Sequence, residues 1–374
     1  MAKHIYADNA ATTKLDSDAF EAMKPWLLDE YGNASQPYAF SRKPREALKS
    51  ARETIAECIH ALPEEIYFTS GGTESDNWAI KGTVFANQDP KPVITSAFEH
   101  HAVLHSCEAI ERLGYPVAYL WPDETGTVTP QILREVITDE TQLVSVMFAN
   151  NELGTIQPIK ELCEVAHAHN ALFHTDAVQA VGHADLNVKE LGVDMLSASA
   201  HKFNGPKGIG FLYLRKGVKL CSYVDGGAQE SGLRAGTENI ASIVGMATAL
   251  KKNVVDLEAN KKYVMSLEKL LLDKLGGCGV PFVRNGGNRT LPGIISLSFE
   301  GKDGEAILHR MDLMGISIST GSACDSKNTE ISHVLKAIRL PENLAKGTIR
   351  ISLSKNNTEV EIETIVNALR KIVC

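Results

Sequence analysis

The stretch Ser197-Ala-Ser-Ala-His-Lys-Phe-Asn-Gly-Pro-Lys-Gly-Ile-Gly210 decides how the chain of 374 residues is read. A hydrophobic run, Val193 to Leu196, leads into it, and Ile209-Gly-Phe-Leu-Tyr-Leu214 leaves it as a second strand. Lys202 therefore stands in a turn between two buried strands. A desolvated ammonium is costly and its pKa falls. One chemistry that uses such a lysine is a Schiff base with an aldehyde cofactor. Taken alone, a lysine in a turn is more simply a surface residue, so the rest of the chain has to decide.

Outward from this stretch, strands and helices alternate. Strands are expected at 65–70, 92–97, 116–121, 143–149, 172–176, 193–199 and 208–215, with helices at 74–86, 100–112, 130–137 and 159–169. Asp16 or Ser17 caps an earlier helix, and residues 44–61 place Ala47, Leu48, Ala51, Ile55 and Ile59 at helical spacing. Tyr6-Ala-Asp-Asn-Ala-Ala-Thr-Thr13 reads as an ordered loop. The alternation implies βαβ units and a mostly parallel, seven-stranded sheet covered on both faces, an α/β fold.

Near residue 250 the pattern changes. A long helix over 255–276 carries Leu257, Val264, Leu267, Leu271 and Leu275 in its apolar stripe, and a Gly-rich stretch, 276–289, closes it. Strand 293–299, helix 304–314, strand 316–320, helix 330–338, strand 348–353 and a last helix opening on the capping box Thr358-Glu-Val-Glu361 follow. The expected division is a large domain over 15–255 and a smaller α+β domain of 1–14 and 256–374.

Composition narrows the function classes. Hydrophobic content of 44% and charged content of 22% are ordinary for a globular protein, and the net charge of −8 is spread without a basic block, against a nucleic-acid groove. No apolar run approaches the ~20 residues of a membrane span, and the N-terminus has no apolar signal core. Seven scattered cysteines (58, 107, 163, 221, 278, 324 and 374) without a CxxC pair suggest reduced thiols, no zinc and a cytoplasmic protein.

In an open α/β sheet, ligands bind beyond the carboxyl ends of the strands. Gly71-Gly-Thr73 opens a helix there, a place for a phosphate or simply an N-cap. Asp176 ends Leu172-Phe-His-Thr-Asp, where a buried carboxylate needs a cation such as a protonated pyridine nitrogen, or else caps a helix. His100 sits at a strand-to-helix junction beside His101, a pairing more often solvated. Arg350 alternates with apolar residues in Thr348-Ile-Arg-Ile-Ser-Leu353, where it holds a carboxylate or makes a strand-face salt bridge. Cys324 lies among small residues in Ser319-Thr-Gly-Ser-Ala-Cys-Asp-Ser-Lys327, a setting suited to a nucleophile, whereas Cys58, Cys107 and Cys163 fall within helical patterns as packed thiols.

These segments together resemble one family. Phe68-Thr-Ser-Gly-Gly-Thr-Glu-Ser-Asp-Asn77, Glu99-His-His-Ala-Val103, Asn150-Asn-Glu-Leu-Gly154, His174-Thr-Asp-Ala-Val-Gln179, Ser199-Ala-His-Lys202, Arg234-Ala-Gly-Thr237 and Gly321-Ser-Ala-Cys324 are similar to the motifs of NifS/IscS-type cysteine desulfurases. Those are pyridoxal-phosphate enzymes of the class V aminotransferase group with fold type I, and the resemblance runs end to end. Gly72 stands where the family often has alanine, and Ala200 where it often has serine or glycine.

The resemblance implies roles. Lys202 would carry the cofactor and move the substrate's Cα proton. Asp176 would pair with the ring nitrogen, Gln179 with the ring hydroxyl, and His100 would stack on the ring. Gly72, Thr73, Ser199 and His201 would hold the phosphate, with Thr237 reaching the phosphate of a second subunit in a homodimer. Asn151 and Arg350 would orient the carboxylate of L-cysteine. The Cys324 thiolate would take the sulfur as a persulfide, releasing alanine. A protein acceptor serving iron–sulfur clusters, a thio-cofactor or tRNA thiolation would then receive it. The alternatives are a selenocysteine lyase or other class V enzyme, and a non-catalytic sulfur-relay scaffold.

Overall fold

The computed structural model describes residues 4–87, 89–320 and 331–374. Strand β1 (Ile5–Tyr6) leaves the N-terminus, and α1 (Ser17–Leu28) and α2 (Arg42–Cys58) follow. Asp16 caps α1 by accepting from the amides of Asp18 and Ala19. The central sheet is then built from β2 (Ile66–Thr69), β3 (Val93–Ser96), β4 (Val117–Leu120), β5 (Leu143–Ser145), β6 (Leu172–Asp176), β7 (Met195–Ser199) and β8 (Gly210–Leu214). Helices α3 (Gly72–Phe85), α4 (His101–Glu111), α5 (Pro130–Arg134), α6 (Ile159–Ala168) and α7 (Val188–Leu191) lie between them.

The strand order is β2-β8-β7-β6-β5-β3-β4. Only β8 runs antiparallel to its neighbours, because the short turn holding Lys202 joins it directly to β7. Strands β3, β5, β7 and β8 are buried throughout, which is why each reads as a run of apolar and small residues, and β6 is buried in all but its first residue. The expected strand 143–149 ends formally at Ser145, but Val146 and Phe148 still donate to His174 and Asp176, so the ladder continues to the site.

A second layer follows α8 (Ile240–Val255) and α9 (Leu257–Gly277). Strands β9 (Val283–Arg284), β10 (Ile294–Ser298) and β12 (Thr348–Ser352) form an antiparallel sheet, and β11 (Ile316–Ser317) pairs with β1. Helices α10 (Gly304–Leu313), α11 (His333–Ala337), α12 (Glu342–Ala345) and α13 (Glu359–Val373) complete the chain. The capping box at Thr358 and Glu361 is formed as expected. Alternation along β10 and β12 sends Ile295, Leu297, Ile349 and Ile351 into one hydrophobic cluster with α9 and α13. Ser296, Ser298, Arg350 and Ser352 take the opposite parity and are also buried.

Several elements differ from expectation, and three of the differences have a plain physical reason. Helix α3 starts at Gly72 rather than 74, because Gly71 turns the chain at φ 149° and lets the first helical amides follow at once. Helix α8 was not expected; nine of its residues are buried, so it lacks the polar face that signals an amphipathic helix. The Gly-rich segment after α9 contains the two-residue edge strand β9, too short and exposed to leave a periodic pattern.

Candidate active site

Lys202 ends a single helical turn after β7. Its Nζ donates to the carbonyls of Ala10 at 2.5 Å and Ala11 at 3.0 Å. The backbone oxygen of Lys202 is held by His183 at 2.9 Å. The N-terminal loop is therefore one wall of the site. Thr13 fixes that wall, its Oγ1 donating to the His201 carbonyl and accepting from the Asn204 amide.

Lys202 lines a cavity of about 350 Å³ at the carboxyl ends of β5, β6 and β7, with ten of the twelve expected site residues on its walls. They are Gly72, Thr73, His100, Asn151, Asp176, Gln179, Ser199, His201, Lys202 and Arg350. Thr237 lies apart on an exposed stretch whose neighbour Arg234 is ion-paired to Glu74 of α3 at 2.8 Å. Cys324 lies outside the described residues.

The polar groups are set by identifiable contacts. Asp176 Oδ1 accepts from the Val178 amide at 2.9 Å, and Gln179 Nε2 donates to the Ala10 carbonyl at 3.0 Å. Burial pushes the Asp176 carboxyl up to about 6, against the pull of that amide and of Lys202. His100 caps α4, its Nδ1 accepting from the Ala102 amide at 3.1 Å, which leaves Nε2 for other chemistry. Burial first, then the charge of Lys202, lowers His100 to about 4. His100 is thus not the solvated half of a pair: His101 turns away to pack against His333 and His105, 4.8 and 5.1 Å between ring centroids. Burial likewise lowers His201 to about 4.

Arg350 makes the salt bridge that was one of its two expected roles. Its Nη2 pairs with Asp8 at 2.7 Å and its Nη1 donates to the Asn151 carbonyl at 3.0 Å, while Nε is buried without a hydrogen-bond partner among the described residues. Asn150, next to Asn151, is structural: its Oδ1 accepts from the Glu152 and Leu153 amides.

The residues fit an aromatic aldehyde phosphate. At the amino end of α3, a Cβ on Gly72 would sit 2.5 Å from the Val178 side chain and 3.6 Å from Ser199, so Gly72 presents bare backbone to that corner of the cavity. Gly210 packs so closely on Gly71 that an added Cβ would lie 2.7 Å from its Cα. This close approach ties β8 to the start of α3, where amides and helix dipole favour an anion. Across the cavity the buried Asp176 offers a negative charge to a ring cation, and Lys202 supplies the amine.

Two groups of functional side chains escaped the sequence reading. Asp8, the Arg350 partner, lies in the N-terminal loop, 342 residues away in sequence. Beneath Asp176, a buried polar set comprises Asp76, His174, Ser197, Ser145 and Glu99. A signal for the latter existed: Asp76 stands three residues after Thr73 on one helix face, and His174 two before Asp176 on one strand face. Three further cysteines are held as thiols, since burial raises Cys107 and Cys163 to about 12 and Cys58 to about 11.

Known proteins share this architecture. The family model described as aminotransferase class V matches residues 5–365. A protein of Methanosarcina thermophila named cysteine desulfurase IscS is 45% identical over 374 residues, covering 99% of this chain and 92% of that one. A solved structure titled NifS-like protein matches with a TM-score of 0.93 at 35% identity over 99% of each chain. Another, titled SspA in complex with cysteine, matches with a TM-score of 0.85 at 37% identity, over 95% of this chain and 100% of that one.

Proposed function

The chain belongs to the class V aminotransferase family, and from that premise we infer a pyridoxal-phosphate-dependent cysteine desulfurase, converting L-cysteine to L-alanine. The observation that carries the site assignment is the convergence of Lys202, Asp176, His100 and the α3 amino end on one cavity.

When bound, pyridoxal phosphate supplies an electron sink that acidifies the substrate Cα proton and weakens the Cβ–S bond. Gly72, Thr73, Ser199 and His201 hold its phosphate, Asp176 its ring nitrogen, Gln179 its ring hydroxyl, and Lys202 its aldehyde carbon. The Lys202 amine takes the Cα proton, and the Ala10 and Ala11 carbonyls that grip Nζ set its direction. His100, neutral because of burial, would lie against the ring and could exchange protons through Nε2. Arg350 and Asn151, both on the cavity wall, orient the substrate carboxylate. The Cys324 thiolate attacks the substrate sulfur: an S–S bond forms on Cys324 as the Cβ–S bond breaks, the electron pair of that bond stays with the carbon skeleton and takes a proton at Cβ, and the proton held on Lys202 returns to Cα to complete alanine.

The division into 15–255 and 1–14 with 256–374 is part of this reading. It is supported by the second hydrophobic cluster, which recruits Ile5 and Ala7 alongside residues from 264 to 373. We place Thr237 at the phosphate of a second subunit in a homodimer, consistent with its exposure. A cytoplasmic location and a protein acceptor serving iron–sulfur clusters, thio-cofactors or tRNA thiolation complete the reading. Among the described residues no helix is long and apolar enough to cross a membrane.

The test is turnover of L-cysteine by the loaded protein. Alanine and protein-bound persulfide are expected in equal amounts on the first turnover. Lys202→Ala abolishes alanine formation and Cys324→Ala abolishes persulfide transfer; full activity in Cys324→Ala would exclude the persulfide route.

A further inference from the structure

The buried acids at the cavity, two of which line it, outnumber the cations that could balance them. Asp76 of α3, Asp176 of β6 and Glu99 at the β3–α4 junction are all buried. The other titratable groups around them are His174 on β6, His100 at the start of α4, and Lys202 after β7. Lys202 acts on Asp176 and so offsets one carboxylate. His174 is fully buried, and burial lowers it to about 3, so it is neutral and offsets none.

Asp76 is the acid least supported as an anion. Ser197 lies near enough to pull the carboxyl's proton affinity down, but Oδ1 has no hydrogen-bond partner among the described residues and lies 3.7 Å from His174 Nε2. A bare, buried carboxylate oxygen between two further acids is among the costlier arrangements in a protein. Neutral, the same side chain completes a polar chain. Ser197 Oγ lies 2.9 Å from His174 Nε2, and His174 Nδ1 lies 2.8 Å from Ser145 Oγ. The chain crosses three neighbouring strands, since Asp176 is in register with Ser197 and His174 with Ser145.

We propose that Asp76 is a positioning residue: a buried carboxylic acid that keeps its proton and, braced through Ser197 and His174, leaves Asp176 as the ionised acid facing the ring nitrogen. The proposal rests on the cofactor assignment above but concerns a residue that assignment leaves without a role. Burial, with the neighbouring Asp176 and Glu99 charges, holds the Asp76 carboxyl well above the usual carboxylate range. Burial also raises Glu99, to about 8, so at neutral pH the cluster carries one negative charge, on the residue that needs it. An ionised Asp76 would instead repel Asp176 and favour its protonation, weakening its hold on the ring nitrogen.

The experiment has two arms. In the first, urea unfolding of the cofactor-free wild type is compared with Asp76→Asn and Asp76→Ser at pH 5 to 8. An acid that keeps its proton when folded releases it on unfolding, so wild-type stability falls with pH by one proton more than either neutral variant. The ratio of unfolding constants therefore changes about tenfold per pH unit. Parallel profiles would overturn the proposal, and the two variants guard against one failing to fold. In the second arm, pyridoxal phosphate itself is the probe, followed by its visible absorbance. Asp76→Asn, which keeps shape and hydrogen bonds, is expected to hold the cofactor within about threefold of wild type. Asp76→Ser, which loses the brace, is expected to weaken it more than tenfold. Equal affinity in both variants would remove the positioning role. Failure of the wild type to bind pyridoxal phosphate, or an unchanged band in Lys202→Ala, would instead count against the cofactor assignment, so the two failures are distinguishable.

Discussion

The face of the central sheet at the cavity and the C-terminal cluster are both fully buried, yet they are built from opposite materials. The first packs Asp76, Glu99, His174, Asp176, Ser145 and Ser197 side by side. The second is built on apolar side chains, among them Leu267, Leu271, Leu275, Ile349, Ile351 and Leu369. Apolar burial contributes stability in proportion to area, whereas buried ionisable groups cost stability and yield shifted proton affinities. One region therefore holds the molecule together, and the other spends some of that stability on a charge pattern suited to chemistry. Arg350 joins them: its strand neighbours Ile349 and Ile351 face the apolar cluster while its guanidinium lines the cavity.

The sharpest way to break this contrast is to cut each region once. Asp176→Ala is expected to lower kcat/KM by about 10²–10³-fold, the loss expected when one partner of a buried charge pair is removed. Its urea midpoint without cofactor should not fall. Leu271→Ala, fully buried between α9 and its neighbours, should do the reverse. It is expected to destabilise by about 2–5 kcal/mol while the folded fraction keeps its kcat. If Asp176→Ala unfolded the protein, or Leu271→Ala slowed the folded enzyme, the division of labour would fail.

A pH series without cofactor sharpens the same point. Glu99, pushed up to about 8, and Asp76, pushed well above its usual range, hold protons when folded that the unfolded chain has already lost above about pH 4.5. Their contribution is largest below that pH and is lost as pH rises towards the folded values. His100 and His201, lowered to about 4, and His174, lowered to about 3, work the other way: the unfolded chain takes up their protons below about 6.5, so acid destabilises. Asp176, at about 6, sides with the acids. The two sets roughly balance between about pH 4.5 and 6, and only the acids act above 6.5. Urea midpoints are expected to be level across the first interval and to fall from pH 6.5 to 8. Glu99→Gln should reduce that fall.

The smallest effect belongs at the far edge of the apolar region. Thr358→Ala removes the side chain that accepts from the Glu361 amide at the start of α13. A loss of about 1 kcal/mol with unchanged turnover is expected from thermal unfolding and steady-state rates.

The strands of the central sheet were legible because each is a short run of apolar or small residues closed by a polar one at its carboxyl end. Lys202, Asp176 and His100 could be picked out for that reason, before any contact was known. Helix α8 was not legible, since burial on nearly all sides erases the periodicity that marks a surface helix. Asp8 was not legible either. Its pairing with Arg350 joins chain ends 342 residues apart, and no local pattern encodes a partner at that distance.

The sequence by itself determined the α/β alternation, the lysine turn and the family motifs, because these are written in local spacing and residue type. Tertiary structure alone decided which charges meet. It brought the Ala10 and Ala11 carbonyls onto Lys202, Asp8 onto Arg350, and Asp76 beside His174 beneath Asp176. Proton affinity in a protein depends on burial and on neighbours in space, and both exist only once the sheet is closed.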